Sequence, residues 1–445
     1  MKRFIVLGVL ALVALSAYAY AAKKPGHVDY KEYKLDNGLR VILSEDRSVP
    51  IAAVNIWYHV GSAHEEEGRS GFAHLFEHMM FEGSENVEKR EHSNLIQRAG
   101  GNYNGTTNQD RTLYFEIVPA NQLNLVLWLE ADRMRSLKIT TENFENQRNA
   151  VKEERLMRID NQPYGAAFLT VDTLSYDFKP YSHTVIGKMV DLDAAEAGDV
   201  QRFFDNYYSP SNAVLVIVGD IDMKKTMKMV EKYFGEIPAG RVVPPISGVE
   251  NPHAAERRKV IDDKNANVPA IFMNYMIPPH AHEDTPALDL LSNILTDGES
   301  SRLYQRLVKK EEAAVAVFGG TDSRRGPSVF RFVAASNVGV DIGTCESLIY
   351  EELDRLKTEG IASEELEKAK KQFRTDFIQS RETVMNKAEA LQHYAFYHDD
   401  LSAINKDIDE YMAVTQDDII RIAKKYFTQE NRTVVIANPA SRADS

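Results

Sequence analysis

The chain has 445 residues, a hydrophobic fraction of 43%, a charged fraction of 27% and a formal net charge of −13. That balance is globular, the length exceeds what one ordinary core supports, and two domains are expected. The acidic surplus argues against nucleic acid and anionic membrane surfaces as partners.

Residues 1–21 stand apart. Lys2 and Arg3 precede the apolar run FIVLGVLALVAL, and Ala17-Tyr18-Ala19 and Ala19-Tyr20-Ala21 follow. A charged start, an apolar middle and A-x-A sites read as a secretory signal peptide, with an uncleaved N-terminal anchor as the alternative. The sole cysteine, Cys345, leaves no intrachain disulfide. Export without disulfides fits a bacterial periplasm better than a eukaryotic secretory route. No stable membrane insertion is expected once the signal is removed.

The mature chain opens with EYKLDNGLRVILSED, whose apolar alternation about Asn37-Gly38 predicts a hairpin, and PIAAVNIWYHVGS (50–62) predicts the next strand. His64 and Glu65-Glu66-Glu67 then read as a solvated loop whose acids suit a following helix N-terminus. That helix lies in GFAHLFEHMMFEG (71–83). His74 and His78, four apart, project from one helical face, and the Glu77 carboxylate reaches the same patch. Two imidazoles and a carboxylate converging on one point are what a catalytic zinc needs: ligands, and a base for water. The remaining positions are almost all apolar, so the helix is expected to be buried, where unpartnered polar groups are costly. The motif is still one protein ligand short.

Residues 91–99 predict a short helix stopped by Gly100-Gly101, and NYNGTTNQDRTLYFEIV places Thr112, Tyr114 and Phe115 in strand-like context. ANQLNLVLWLEADRMRS and TTENFENQRNAVKEERLMRI predict two helices; PSNAVLVIVGDID reads as a nearly continuous apolar strand, and MKKTMKMVEKYFGEI as a helix. On the helix 142–159, Gln147, Ala150, Val151, Glu154 and Met157 share one face, while Glu153 falls with Asn146 and Asn149 on the polar side. Glu154 is the charge on the packing stripe. Alone, it reads first as a partner for Arg158 at i+4 and only second as a ligand.

Proline- and glycine-rich residues 238–256 read as a linker between an N-terminal zinc-binding domain (22–237) and a C-terminal one (257–445). The second half restarts with an IFMNYMI strand, a helix from Pro286, the helix SSRLYQRLVKK, a strand around VFRFVAAS and long helices from Ile342 to about Tyr397. AGDVQRFFDNYYSPSNAVLVIVGD recurs in order as TQDDIIRIAKKYFTQENRTVVIANP, with Asn212 and Asn431 219 positions apart. That period predicts two homologous α+β halves. The corresponding early helix, TPALDLLSNIL, carries no histidine, so the chemistry is assigned to the first half.

H-x-x-E-H, with 75 residues between His78 and the closing Glu154 of the A-V-x-x-E in NAVKEE, resembles the pitrilysin (insulinase-type) zinc metallopeptidases, which include mitochondrial processing peptidase. LDNGLRVIL (35–43), the G-x-A-H opening at Gly71, GGNYNGTTNQDRTLYF and SSRLYQRL (300–307) are similar to family segments, so the likeness spans nearly the whole mature chain. It implies a clam-shell chamber of two halves, each a mostly antiparallel sheet covered by helices. It also implies one zinc per chain on His74, His78 and Glu154, with Glu77 as general base for hydrolysis of peptides or unfolded polypeptides. Asn104, Gly105 and Thr106 would lie on an edge strand that pairs with extended peptide.

Two positions depart from the family pattern. Gln147 stands where well-known members carry a glutamate that supports the third ligand. Arg306 matches an arginine that grips the substrate carbonyl, but Ala313 replaces the tyrosine seven residues on. The expectation is a homologous partner subunit, in a heterodimer or homodimer, that completes the site. The competing reading is a non-catalytic binding or assembly subunit of the same fold, against which stand all four of His74, Glu77, His78 and Glu154.

Overall fold

The computed structural model describes residues 25–440 apart from 245, 247–249, 251–252 and 399, so the expected signal segment lies outside the described residues. The first half contains β1 (Lys31–Lys34), β2 (Arg40–Glu45), β3 (Ile51–Tyr58), β4 (Asn102–Thr107), β5 (Thr112–Pro119) and β6 (Ala213–Gly219). Its principal helices are α1 (Phe72–Met79), α2 (Glu91–Arg98), α3 (Leu123–Ser136), α4 (Thr141–Arg155), α5 (Gly165–Ser175), α6 (Ala197–Tyr207) and α7 (Met223–Phe234). The second half contains β7 (Arg257–Asp263), β8 (Ala270–Ile277), β9 (Ala314–Asp322), β10 (Ser328–Ser336) and β11 (Arg432–Pro439). Its principal helices are α8 (Thr285–Thr296), α9 (Ile342–Glu359), α10 (Ser363–Gln379), α11 (Val384–His393) and α12 (Gln416–Tyr426).

The sheets run β1-β2-β6-β3-β5-β4 and β7-β11-β8-β10-β9. Each is antiparallel except for one pair, β2 with β6 and β7 with β11. Apart from the additional edge strand β1, the two orders are the same. The amide of Asn212 donates to the carbonyls of Tyr207 and His59, and that of Asn431 donates to Tyr426 and Met276. Each asparagine ties the end of a helix to the end of a neighbouring strand. The repeated motif is thus a repeated structural joint, and the two halves are homologous.

The central strands read as unbroken apolar runs because both faces are covered. On β6, Leu215 and Ile217 enter the first main core with α1, α3 and α7 residues, while Val214, Val216 and Val218 face Val384, Ala388 and Leu391 of α11. On the second sheet, Ile271 and Met273 of β8 enter the second main core, and Phe272, with Val435 and Ala437 of β11, packs on Ala167 and Val171 of α5. Each half therefore lends a helix to the other's sheet. The exchanged helices begin at Gly165 and Val384, again 219 positions apart.

Several sequence expectations are revised. His64 and Glu65 do not form a solvated loop: the Glu65 side chain is fully buried, and its carboxylate accepts from the backbone N–H groups of Gly71 and Ala73. It serves the N-terminus of α1, as its charge suggested, but from inside. SSRLYQRLVKK winds into wide π-helical turns over Tyr304–Lys310. On α4 the packing face is Asn143, Phe144, Gln147, Val151 and Glu154; Ala150 and Met157 are exposed. A π-helical turn from Leu156 widens the helix and moves Met157 out of phase.

Candidate metal centre

Gly71 begins α1 at φ 91°, a left-handed backbone that glycine adopts without penalty. A Cβ there would also lie 2.8 Å from the Ile186 carbonyl oxygen, so the tight approach requires glycine twice over. The helix buries Phe72, Leu75, Phe76 and Met79 in the first core. His74, Glu77 and His78 remain half-buried on the opposite stripe, facing α4 and the edge strand β4.

The two imidazoles lie nearly perpendicular, at 81°, with ring centroids 4.8 Å apart. Their Nε2 atoms stand 3.7 Å (His74) and 3.3 Å (His78) from Glu154 Oε2. The other carboxylate oxygen, Oε1, accepts from Arg158 at 2.8 Å. One carboxylate oxygen thus faces the two imidazoles, and the other takes the Arg158 ion pair. The N···O separations are longer than hydrogen bonds of about 2.9 Å and close to the about 3.3 Å spacing of neighbouring ligands on a tetrahedral zinc. Burial, then the neighbouring His78, pushes His74 down to about 4, so the ring is neutral and able to ligate. The donor set fits zinc.

Glu77 sits beside this cluster. Burial pushes its carboxyl up to about 7; the Thr107 hydroxyl, donating to Oε2 at 2.6 Å, pulls it down, and the Glu154 charge adds to the rise. A carboxylate poised near neutrality suits general-base work. A Cβ on Gly105 would stand 3.1 Å from Glu77 Cγ, so β4 can lie against the base only with the smallest residue there.

These groups open on a cleft of about 530 Å³ lined by His74, Glu77, His78, Asn104, Gly105, Thr106, Gln147, Glu154 and Arg158. β4 is the outer strand of its sheet, with one edge unpaired. Thr106 is fixed by Arg111, which donates to its carbonyl (2.8 Å) and hydroxyl (2.6 Å) oxygens. Gln147 donates to Glu82 Oε1 at 2.8 Å, and Glu82 also pairs with Lys89 at 3.3 Å. Thus a carboxylate does approach position 147, but it comes from the C-terminal side of α1. Thr107 belongs to the family-like segment GGNYNGTTNQDRTLYF and Glu82 to the end of the motif stretch, but nothing in local spacing shows which elements they face.

Arg306 is not brought to this cleft. Its guanidinium pairs with Glu351 (3.0 Å) and Glu311 (3.4 Å), and Ala313 is buried at 2% exposure. The expectation that Arg306 contacts substrate is not met in this arrangement. In the second half α8 follows β8 as α1 follows β3's loop, and it carries no histidine or glutamate.

Two duplicated α+β halves, only one of them bearing an H-x-x-E-H helix and a distant glutamate, define the class of inverted-motif metallopeptidase folds. The comparisons agree. Residues 40–188 match the family model described as insulinase (peptidase family M16), and 194–373 match that of the peptidase M16 inactive domain. The chain is 30% identical over 442 residues to the zinc protease PqqE of Helicobacter pylori, covering 98% of this chain and 99% of that one. It is 25% identical to the uncharacterized zinc protease YmxG of Bacillus subtilis, covering 92% and 98%. A solved protease structure from Helicobacter pylori superposes with a TM-score of 0.89 at 30% identity, covering 93% of this chain and 100% of that one. The chain belongs to the insulinase (M16) peptidase family.

Proposed function

We propose that the chain is a zinc-dependent endopeptidase acting on peptides or unfolded polypeptides, with one catalytic zinc held by His74, His78 and Glu154. The observation that carries this reading is the convergence of both imidazole Nε2 atoms on Glu154 Oε2, with the Glu77 carboxyl alongside in the same cleft. When bound, zinc supplies Lewis-acid polarisation of the scissile carbonyl and lowers the pKa of water. Glu77 accepts the proton of the attacking water and returns it to the leaving amine. The Thr107 hydroxyl holds the Glu77 carboxylate in one orientation. The unpaired edge of β4 offers backbone N–H and C=O groups to an extended peptide, which becomes an added strand beside Asn104–Thr106.

Completion of the site by a homologous partner, in a heterodimer or homodimer, is part of the proposal. It is supported by Ala313 at the position of the expected tyrosine and by the engagement of Arg306 with Glu351 and Glu311. Full activity of the purified chain as a monomer would sink it. Export to the periplasm is likewise proposed, on the n-region, apolar run and A-x-A sites of residues 1–21.

The deciding experiment compares the mature chain with Glu77→Gln for zinc content and peptidase activity. The variant is expected to keep zinc and lose turnover by about 10²–10⁴-fold, the usual worth of a general base. Equal turnover removes Glu77 from the mechanism. Zinc-loaded wild type without turnover, alone or with candidate partners, would favour the non-catalytic subunit.

A further inference from the structure

A second cluster of donors lies away from the cleft. His280, in the segment after β8, and His393 and His398, at the end of α11, present three ring nitrogens that all lie within 4.8 Å of one another. His280 Nε2 and His393 Nε2 approach to 2.8 Å. Between two neutral imidazoles such a contact needs one of the facing nitrogens protonated, and burial drives both rings toward neutrality: His280 falls to about 4, and His393 falls well below its ordinary value. On the third ring, His398 Nε2 is buried with no hydrogen-bond partner among the described residues. A buried, unpartnered ring nitrogen beside two others is costly unless something accepts its lone pair or its proton.

The backbone explains how three histidines meet. His393 and His398 are five apart, and on an ideal α-helix they would diverge by about 140°. Here the chain passes into a π-helical turn over Tyr394–His398, whose wider winding returns the fifth residue toward the same face. Such turns are rare and recur at functional sites. The His280 backbone N–H donates to the Arg324 carbonyl at 2.9 Å, which holds its loop in place. His280 and His393 also line a cavity of about 620 Å³ that includes Trp57 and Arg111, so two of the three rings border a space with room for a non-protein ligand.

We propose that His280, His393 and His398 form a second metal site, one that takes a divalent transition ion of the zinc, nickel or copper class. Three imidazole donors suit these ions and not the oxygen-seeking calcium or magnesium. Tetrahedral bonds of about 2.0–2.1 Å place donor nitrogens about 3.3 Å apart, so the His280–His393 contact opens by only a few tenths of an ångström on binding. The site sits where α11, lent to the first sheet, begins to return to its own half. An ion there fastens the lent helix to the loop of the half that supplies it.

The test removes the first site so that only the second can report. The His74→Ala/His78→Ala chain, stripped with chelator, is titrated with Co²⁺ and followed by equilibrium metal content, visible d–d absorption and melting temperature. One equivalent should bind, with the intense visible bands of a low-coordinate nitrogen site and a raised melting temperature. Adding His280→Gln or, separately, His398→Gln should weaken Co²⁺ binding beyond the about 10–100-fold that changes outside a ligand shell produce. Melting curves without metal show that each variant folds. Failure of the His74→Ala/His78→Ala chain to bind Co²⁺ overturns the proposal. So does binding that survives both glutamine substitutions in folded protein.

Discussion

The two glutamates of NAVKEE differ by one position and by their whole environment. Glu153 is exposed; Glu154 faces the imidazoles with one oxygen and Arg158 with the other. His78→Ala and Glu154→Ala are therefore expected to lose metal, and Glu153→Ala to retain it, as read by metal content after gel filtration. Gln147 invites the opposite substitution. Its amide donates to Glu82, whose carboxylate also pairs with Lys89. Gln147→Glu sets two carboxylates against each other, and such a pair retains a proton well above the ordinary carboxylate range. The variant should lose about 1 kcal/mol near pH 7, a deficit that shrinks as the pH falls toward 4 in urea titrations. Restored or increased stability at neutral pH would show that Lys89 governs the pair instead.

At the level of elements, α8 shows how the second half sets an ion-paired anchor where the first half sets its histidines. Its first-turn neighbour Asp284 has a fully buried side chain and accepts from Arg421 (2.6 Å), Lys425 (2.9 Å) and Tyr426 (2.5 Å) of α12. Burial alone would raise its pKa, but the hydrogen bonds from Tyr426, Lys425 and Arg421 outweigh it and hold the carboxyl well below the usual range. A depressed carboxyl contributes stability that is full above its unfolded value of about 3.9 and is lost as the pH falls toward the folded one. Asp284→Asn should therefore cost about 2 kcal/mol at neutral pH, with the gap to wild type narrowing below about pH 4. A pH-independent gap would mean that the packing of the side chain matters and its charge does not.

Much of this was legible in sequence. The hairpin at Asn37-Gly38, α1 and its histidine pair, and the repeat of helix and strand around Asn212 and Asn431 all carry strong local patterns. β9 was not legible, since Gly319 and Gly320 interrupt its apolar residues. On α4 the packing face carries the buried polar residue Asn143, which a hydrophobic stripe leaves out, while Ala150 and Met157, which such a stripe takes in, are exposed. The three-histidine cluster was invisible for a different reason. A spacing of five matches no regular helix, and His280 arrives from a loop more than a hundred residues away.

For the whole molecule, the exchange of α5 and α11 is the feature no periodicity could reveal, since an apolar stripe does not say whose sheet it covers. Ala388, fully buried on α11 against the first sheet, reports on it. Ala388→Asp places a charge between two apolar surfaces and should cost on the order of 3 kcal/mol or more. It should also lower the unfolding of both halves together, visible as a single shifted transition in calorimetry. Two separated transitions would show that the halves unfold independently. Equivalent helices traded between equivalent sheets are what a domain-swapped dimer presents, here with its two subunits joined in one polypeptide. A lone first half would keep its own α5 without a sheet to cover and its own sheet without α11. Two such halves could satisfy each other, so a split gene for this fold would be expected to yield dimers rather than stable single units.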